Sequence, residues 1–174
     1  MKNPKAKGSQ FEREIAKQLS LWLTLDKRED VLWRSSLSGG RATIAHRKGK
    51  DVRQCGDLCA VGPEGHKFCE QFFVELKHIK RLALDQFLIK GTGPLANFWR
   101  KAKHEAAKHK RQPILIARQN GWPVIVLSDA LLPWTSPFIR TEDVFITRLD
   151  AWNTSLFYAW GRLGLMPTKR IPRE

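Results

Sequence analysis

The feature that most constrains this chain is a pair of short apolar runs, each of which carries a carboxylate. Residues 57–61 read Asp-Leu-Cys-Ala-Val, and residues 72–77 read Phe-Phe-Val-Glu-Leu-Lys. Residues 63–67, Pro-Glu-Gly-His-Lys, lie between the two runs and are typical of a turn. The two runs therefore predict a β-hairpin.

Alternation along a strand places the charged side chains of this hairpin on one face. Glu75 and Lys77 project from the same side, roughly 7 Å apart at about 3.3 Å per residue. Val74 and Leu76 then point into the core. A turn in the middle of the intervening segment puts Asp57 opposite or diagonal to Glu75. A slip of one residue would turn these side chains away from each other, so the register decides whether a site exists.

Two carboxylates and a lysine in this arrangement suit metal-assisted cleavage of a phosphodiester bond. Mg²⁺ prefers oxygen ligands, so Asp57, Glu75 and the carbonyl of Leu76 would suffice beside a substrate phosphate, and Mn²⁺ can replace Mg²⁺ there. Such an ion activates water and neutralises developing charge. Lys77 would orient the water or stabilise the transition state, because neighbouring carboxylates favour its charged form and disfavour a role as a base. The alternative is an exposed ion pair between Glu75 and Lys77, with Asp57 in a turn.

The N-terminal region predicts an amphipathic helix over residues of about 9–24. Ser9 and Glu12 have the spacing of a capping box. The apolar residues that follow recur at helical spacing, namely Phe11, Ile15, Leu19, Trp22 and Leu23. Glu12 lies beside this apolar stripe. It therefore either faces the sheet or only bonds back to the cap.

These elements together resemble a known family. Four segments come in the order and approximate spacing seen in archaeal-type Holliday-junction resolvases, which are PD-(D/E)xK nucleases: Gly8–Arg13, Arg34–Gly39, Gly56-Asp57 and Glu75–Lys77. The resemblance covers residues of about 7–118. It implies a restriction-endonuclease-like core that acts on branched DNA as a two-fold homodimer. Gly56 departs from the family pattern, which has proline before the aspartate.

The resemblance also implies roles for individual residues. Glu12, Asp57 and Glu75 would form the metal site, and Lys77 would be the catalytic lysine. Ser38 matches a family serine on a loop that can contact the scissile phosphate.

The charge of the chain independently favours a nucleic-acid partner. Lys and Arg number 31 against 17 Asp and Glu, so the formal net charge is +14. One predicted DNA-binding segment is a basic loop with Arg34, Arg41, Arg47, Lys48, Lys50 and Arg53. A second is a helix over about 95–111, whose basic residues include Arg100, Lys101, Lys103, Lys108 and Arg111. Such phosphate contacts give affinity without sequence information. The alternative for the helix is a solvated surface.

The remaining sequence predicts a mixed central β-sheet flanked by helices, which is an α/β fold. Residues 113–118 and 123–127 are predicted strands joined by an Asn-Gly turn, and residues 144–147 are a further candidate strand. The aromatic residues at 152–160 indicate core packing or a dimer contact first and base stacking second. At 174 residues, the chain predicts one nuclease domain, with a core over about 7–127, an extension over about 128–174 and a basic tail at 167–174.

Other classes of protein are disfavoured. The chain has no run of about 18 apolar residues and no apolar segment after its charged N-terminus, which predicts a soluble cytoplasmic protein with no membrane partner, or one in the host cytoplasm if a phage encodes it. Three cysteines argue against a disulfide framework. They leave open a zinc site formed by Cys55, Cys59, His66 and Cys69.

Two hypotheses of function follow from the sequence. The first is a Mg²⁺-dependent endonuclease that hydrolyses branched DNA such as Holliday junctions during recombination, with a nuclease for duplex or single strands as the competitor in its class. The second is a non-catalytic nucleic-acid-binding protein. Metal dependence separates the two hypotheses, because only the enzyme requires Asp57, Glu75 and Lys77.

Overall fold

The computed structural model describes residues 4–35, 54–141 and 143–163. In chain order, its elements are α1 (Pro4–Thr24), β1 (Leu32–Arg34), β2 (Gln54–Cys55), β3 (Leu58–Ala60), α2 (Pro63–Gln71), β4 (Phe72–Ile79), α3 (Leu84–Lys90), α4 (Pro94–Lys108), β5 (Gln112–Gln119), β6 (Ile125–Ser128), β7 (Ile139–Arg140), β8 (Phe145–Arg148), a 3₁₀ turn (Leu149–Ala151) and α5 (Thr154–Leu163).

The centre of the fold is a five-stranded mixed sheet in the order β4-β5-β6-β8-β7. Strands β4 and β5 are parallel, because α3 and α4 carry the chain back to the start of the sheet between them. The other pairs in this sheet are antiparallel. A small antiparallel sheet, β1-β3-β2, lies beside the free edge of β4. The predicted α/β fold with a mixed central sheet flanked by helices is therefore confirmed.

Alternation along the central strands creates two apolar layers. On β5, Ile114 and Ile116 pack with α1, α2 and α5, whereas Leu115 and Ala117 pack with α4. The period of two along each strand explains this division, since successive side chains point to opposite faces. Each face of the sheet is therefore covered by helices, and the edge at β4 is where the small sheet meets it.

The first helix is longer than its sequence pattern predicts. It begins at Pro4 and not at residue 9, so Ser9 lies inside α1 and is not its N-cap. Proline fits the first turn of a helix, where its missing N–H has no intrahelical partner to lose. The apolar stripe is as predicted, with Phe11, Ile15 and Leu19 buried.

The predicted hairpin between residues 57–61 and 72–77 is wrong. Residues Pro63–Gln71 form helix α2, and β3 pairs with β1 and β2 instead of β4. Pro63 stands at the start of the helix, and Glu64 lies in its first turn, where a negative charge is favoured by the helix dipole. Phe68 and Cys69 bury the inner face of α2. The burial of these two side chains in the core therefore favours a helix over the turn that the sequence pattern predicts.

The later predictions agree more closely with the structure. The strands predicted at 113–118, 123–127 and 144–147 are β5, β6 and β8, and β5 and β6 form an antiparallel hairpin. The basic helix predicted to reach residue 111 ends at Lys108, and Lys110 then adopts a left-handed backbone with φ of 55°. Arg111 therefore lies outside α4.

The aromatic residues near the C-terminus belong to the core. Trp134 is buried against Trp152, Phe157 and Trp160, with ring centroids 4.8–5.7 Å apart. The interpretation as core packing is therefore confirmed for these residues. Leu156 differs, because half of its surface is exposed on the outer face of α5. In the described ranges, no helix is both long and apolar enough to cross a membrane.

Candidate active site

Gly56 brings the small sheet into contact with the edge of β4. It forms a parallel bridge with Val74, and the backbone N–H of Asp57 donates to the Val74 carbonyl over 2.8 Å. The φ of Gly56 is +85°, and a Cβ at this position would lie 2.1 Å from the Val74 oxygen. Proline cannot adopt this backbone, because its ring holds φ near −65°. The glycine in place of the family proline therefore has a structural reason.

The Asp57 side chain continues the contact that its backbone begins. Its Oδ2 accepts a hydrogen bond of 2.7 Å from the backbone N–H of Leu76. Asp57 thus lies beside Glu75, as the sequence predicts, although a parallel bridge and not a hairpin places it there. Burial, followed by the charge of Glu75, raises the pKa of Asp57 to about 6, while Lys77 and the Leu76 N–H act in the opposite direction.

Three oxygens surround the Lys77 ammonium. Its Nζ lies 2.7 Å from Glu75 Oε1, 3.1 Å from the Leu76 carbonyl oxygen and 3.8 Å from Asp57 Oδ2. The Glu75 side chain is only 5% exposed, so the alternative of an exposed ion pair on a solvated strand face is wrong. The ammonium contacts the same three residues that the sequence predicts as ligands for Mg²⁺.

Glu12 approaches this cluster from α1. Arg34 Nε of β1 lies 3.1 Å from Glu12 Oε2, so Glu12 forms an ion pair and does not bond back to a cap at Ser9. The charge of Glu12 also contributes to the raised pKa of Asp57, as the smallest of its causes. Within residues 4–35, 54–141 and 143–163, no three His, Cys, Asp or Glu side chains are grouped to hold one metal ion. A metal ligand at Glu12 stays a prediction.

The predicted zinc ligands Cys55, Cys59, His66 and Cys69, all of which the structure describes, form no group that could hold a metal ion. Cys55 and Cys69 are buried and free, and Cys59 is half-buried. Burial and the neighbouring Cys69 raise the pKa of the Cys55 thiol well above its usual value. Thiols in this state are small apolar core groups and poor metal ligands, since the thiolate is the ligand form.

A comparison with protein families agrees with this geometry. The family model described as "Phage putative PDDEXK endonuclease" matches residues 3–156. The chain belongs to this family. The match extends beyond the segments that carry the resemblance to resolvases, because it includes the whole central sheet and the start of α5. Neither the curated proteins nor the solved structures contain a significant match to the chain.

Asp57 and Glu75-Leu76-Lys77 match, in residue type and order, the acidic residue and the (D/E)xK element of the family name. Their role as the catalytic motif stays a prediction. Nucleases of the PD-(D/E)xK class generally use divalent metals. In this PDDEXK endonuclease, the two carboxylates and the lysine that match these letters lie together at the free edge of β4, next to the small sheet.

The predicted DNA-binding residues of the endonuclease are in different situations. Arg100 bonds to Asn97, Lys103 lies over the Trp99 ring, and Lys108 pairs with Glu105. Arg111 donates to the backbone carbonyl of Gln54 and supports β2. Five other predicted DNA-binding residues, and Ser38 of the predicted catalytic set, lie outside the described ranges: Arg41, Arg47, Lys48, Lys50 and Arg53.

Lys101 is the residue whose position the sequence did not indicate. It was predicted to contact DNA, but its Nζ donates to Glu75 Oε1 over 3.0 Å. The contact depends on the crossover that joins the parallel strands β4 and β5. In this crossover α4 packs against β4 with Trp99 and Ala102 buried, which brings Lys101 to Glu75. The only local signal is that Lys101 directly precedes Ala102 at the border of the apolar stripe.

Proposed function

We propose that this endonuclease is Mg²⁺-dependent and hydrolyses phosphodiester bonds in branched DNA such as Holliday junctions. The observation that carries the proposal is the set of oxygens from Asp57, Glu75 and Leu76 around the Lys77 ammonium. A cluster of oxygens that already surrounds one cation is suited to hold another. Carboxylate and carbonyl oxygens are the ligands that Mg²⁺ prefers, with Mn²⁺ as a substitute.

The electrostatics of the site support a divalent ion. Asp57 and Glu75 are close enough for the charge of Glu75 to raise the pKa of Asp57. A bound cation relieves this repulsion and so favours the charged form of both carboxylates. When bound, the ion supplies Lewis-acid chemistry and activates water for attack on phosphorus.

The remaining roles belong to side chains of the protein. Lys77, beside the carboxylates, orients the attacking water or stabilises the charge that develops on the phosphate oxygens. Glu12 is the third proposed acidic ligand, and Arg34, its ion-pair partner, is then available to a DNA phosphate. Ser38 contacts the scissile phosphate in this proposal.

An exposed aromatic residue near the site supports a substrate with unpaired nucleotides. Trp33 is 53% exposed and directly precedes Arg34 on β1. A cavity of about 190 Å³ beside α1 and β1 is lined by Trp33, by the basic residues Arg13, Lys17 and Arg34, and by Ala16, Glu29 and Asp30. Unpaired bases stack on exposed aromatic rings, and neighbouring cations contact the backbone phosphates. Branched DNA that carries a flap or a gap supplies such bases, whereas a fully paired four-way junction does not.

The decisive experiment compares three DNA substrates of the same sequence: a four-way junction, a linear duplex and a single strand. Each is incubated with Mg²⁺ or EDTA and with the wild type, Asp57→Ala, Glu75→Gln or the matched control Glu70→Gln, whose carboxylate is exposed on α2. We expect Mg²⁺-dependent paired cuts in the junction by the wild type and the control, and none by the two site variants.

Other outcomes separate the alternatives. Equal cutting of all three substrates would keep the nuclease and remove the preference for branched DNA. Salt-sensitive binding without cleavage, unaffected by the site variants, would support the non-catalytic protein. Paired cuts also require two active sites, so the proposal includes a homodimer. Sedimentation of the free protein as a monomer at the concentrations used for cleavage would contradict that part.

A further inference from the structure

One oxygen of the candidate site is shared by two lysines. Glu75 Oε1 lies 2.7 Å from Lys77 Nζ and 3.0 Å from Lys101 Nζ. The contact from Lys101 is a hydrogen bond that its ammonium donates to this carboxylate oxygen. Two ammonium groups thus contact the same oxygen of one buried carboxylate.

The two lysines differ in how firmly they are held. The Lys77 side chain is 25% exposed, also donates to the Leu76 carbonyl and lies 5.8 Å from the centre of the Phe98 ring. The Lys101 side chain is 60% exposed and reaches Glu75 from the solvent side of α4. A lysine ammonium on a long, hydrated side chain moves at low cost when its partner changes.

A divalent cation cannot coexist with both contacts. Mg²⁺ binds an oxygen at about 2.1 Å, so an ammonium that remained near Glu75 Oε1 would lie only a few ångström from the ion. Like charges at that distance repel strongly in a partly buried site. The more exposed lysine, Lys101, is the one that can leave towards solvent.

We propose that Lys101 is a further catalytic residue, which holds Glu75 Oε1 while no metal is bound and transfers to an oxygen of the DNA phosphate when the metal binds. This inference rests on the proposed metal-dependent nuclease. Lys101 thus has two alternating partners of the same charge, a carboxylate and a phosphate. It keeps the empty site neutral and then stabilises the negative charge of the substrate.

The test measures metal binding without DNA. Lys101→Met retains the length of the side chain and removes its charge, and Lys103→Met on the same helix is the matched control, because Lys103 lies over Trp99 and not at Glu75. By titration calorimetry with Mn²⁺, we expect Lys101→Met to bind the metal at least about threefold more tightly than the wild type, since a competing cation is gone. Lys103→Met should be unchanged.

The second measurement is cleavage at saturating metal. There we expect Lys101→Met to be at least about tenfold slower than the wild type, because the phosphate loses a charged contact. Lys101→Arg, which keeps the charge, should restore part of the rate. Thermal melting of each variant checks that the exposed substitution leaves the fold intact. If Lys101→Met does not fold, Lys101→Gln provides a second neutral side chain.

The outcomes distinguish this inference from the proposed function. Unchanged or weaker Mn²⁺ binding by both neutral variants would overturn the idea that Lys101 competes with the metal. Tighter binding with a wild-type cleavage rate would overturn its contact with the phosphate. If the wild type itself showed no metal-dependent cleavage and Asp57→Ala bound Mn²⁺ equally well, the proposed function would fail first.

Discussion

Asp57→Asn should stabilise the metal-free protein at neutral pH, although it should abolish activity. Asp57 is largely buried next to Glu75, and its pKa is raised from 3.8 to about 6. The variant retains an oxygen that can accept the hydrogen bond from the Leu76 N–H. It removes the negative charge that burial disfavours.

The sign of the effect follows from proton linkage. The folded protein holds the proton of Asp57 more tightly than the unfolded chain does. The stabilisation that this proton gives to the folded state is therefore complete below a pH of about 3.8. It is lost as the pH rises through about 6. A shift of this size corresponds to at most about 3 kcal/mol at pH 7.5. We therefore expect Asp57→Asn to raise the free energy of unfolding by about 1–3 kcal/mol at pH 7.5 and by little at pH 4.

The assay is urea unfolding in EDTA at several values of pH between 4 and 8. Glu70→Gln, an exposed carboxylate on α2, is the matched control and should show a difference that hardly depends on pH. Adding Mg²⁺ should stabilise the wild type more than the variant, because only the wild type retains both carboxylates. Two results would refute the reasoning. One is an Asp57→Asn protein that is less stable than the wild type at pH 7.5. The other is a difference in the free energy of unfolding between variant and wild type that is the same at every pH.

Three further predictions concern positions around the site. Gly56→Ala should cost about 2–4 kcal/mol in urea unfolding and weaken Mn²⁺ binding, because its φ is +85° and a Cβ would meet the Val74 oxygen; a cost below about 0.5 kcal/mol would contradict this. Trp134→Ala should cost about 3–5 kcal/mol with one cooperative transition, and a separate early transition would show that the residues after 128 unfold independently. Trp33→Ala should weaken binding to single-stranded DNA at least about fivefold but not binding to duplex, whereas Trp122→Ala, another exposed tryptophan, should change neither by more than about twofold.

Local periodicity accounts for what could be predicted of the site. Glu75 and Lys77 had to share a face of any strand that contains them, because side chains alternate along a strand. Their 2.7 Å contact confirms this. The apolar stripes of α1 and α4 and the Asn-Gly turn between β5 and β6 are equally local, and they too appear in the structure with ends that differ by a few residues.

Contacts between distant segments could not be predicted in the same way. Residues 63–71 carry both a turn signal and a helical pattern, and only the burial of Phe68 and Cys69 against the core decides for the helix. With that helix in place, the hairpin register that was expected to position Asp57 no longer exists. The parallel bridge at Gly56 positions Asp57 instead, and no pattern of neighbouring residues predicts this bridge.

The amino-acid sequence alone therefore determined the nature of the reactive groups, the strand that carries Glu75 and Lys77 and the strongly basic charge, since each depends on residue type and short-range spacing. Tertiary structure decided how Asp57 reaches Glu75 and why Lys101 meets the same oxygen. The physical reason is that burial of the whole core determines strand pairing and helix packing. Groups far apart in the chain therefore become neighbours only when helices pack on both faces of the central sheet.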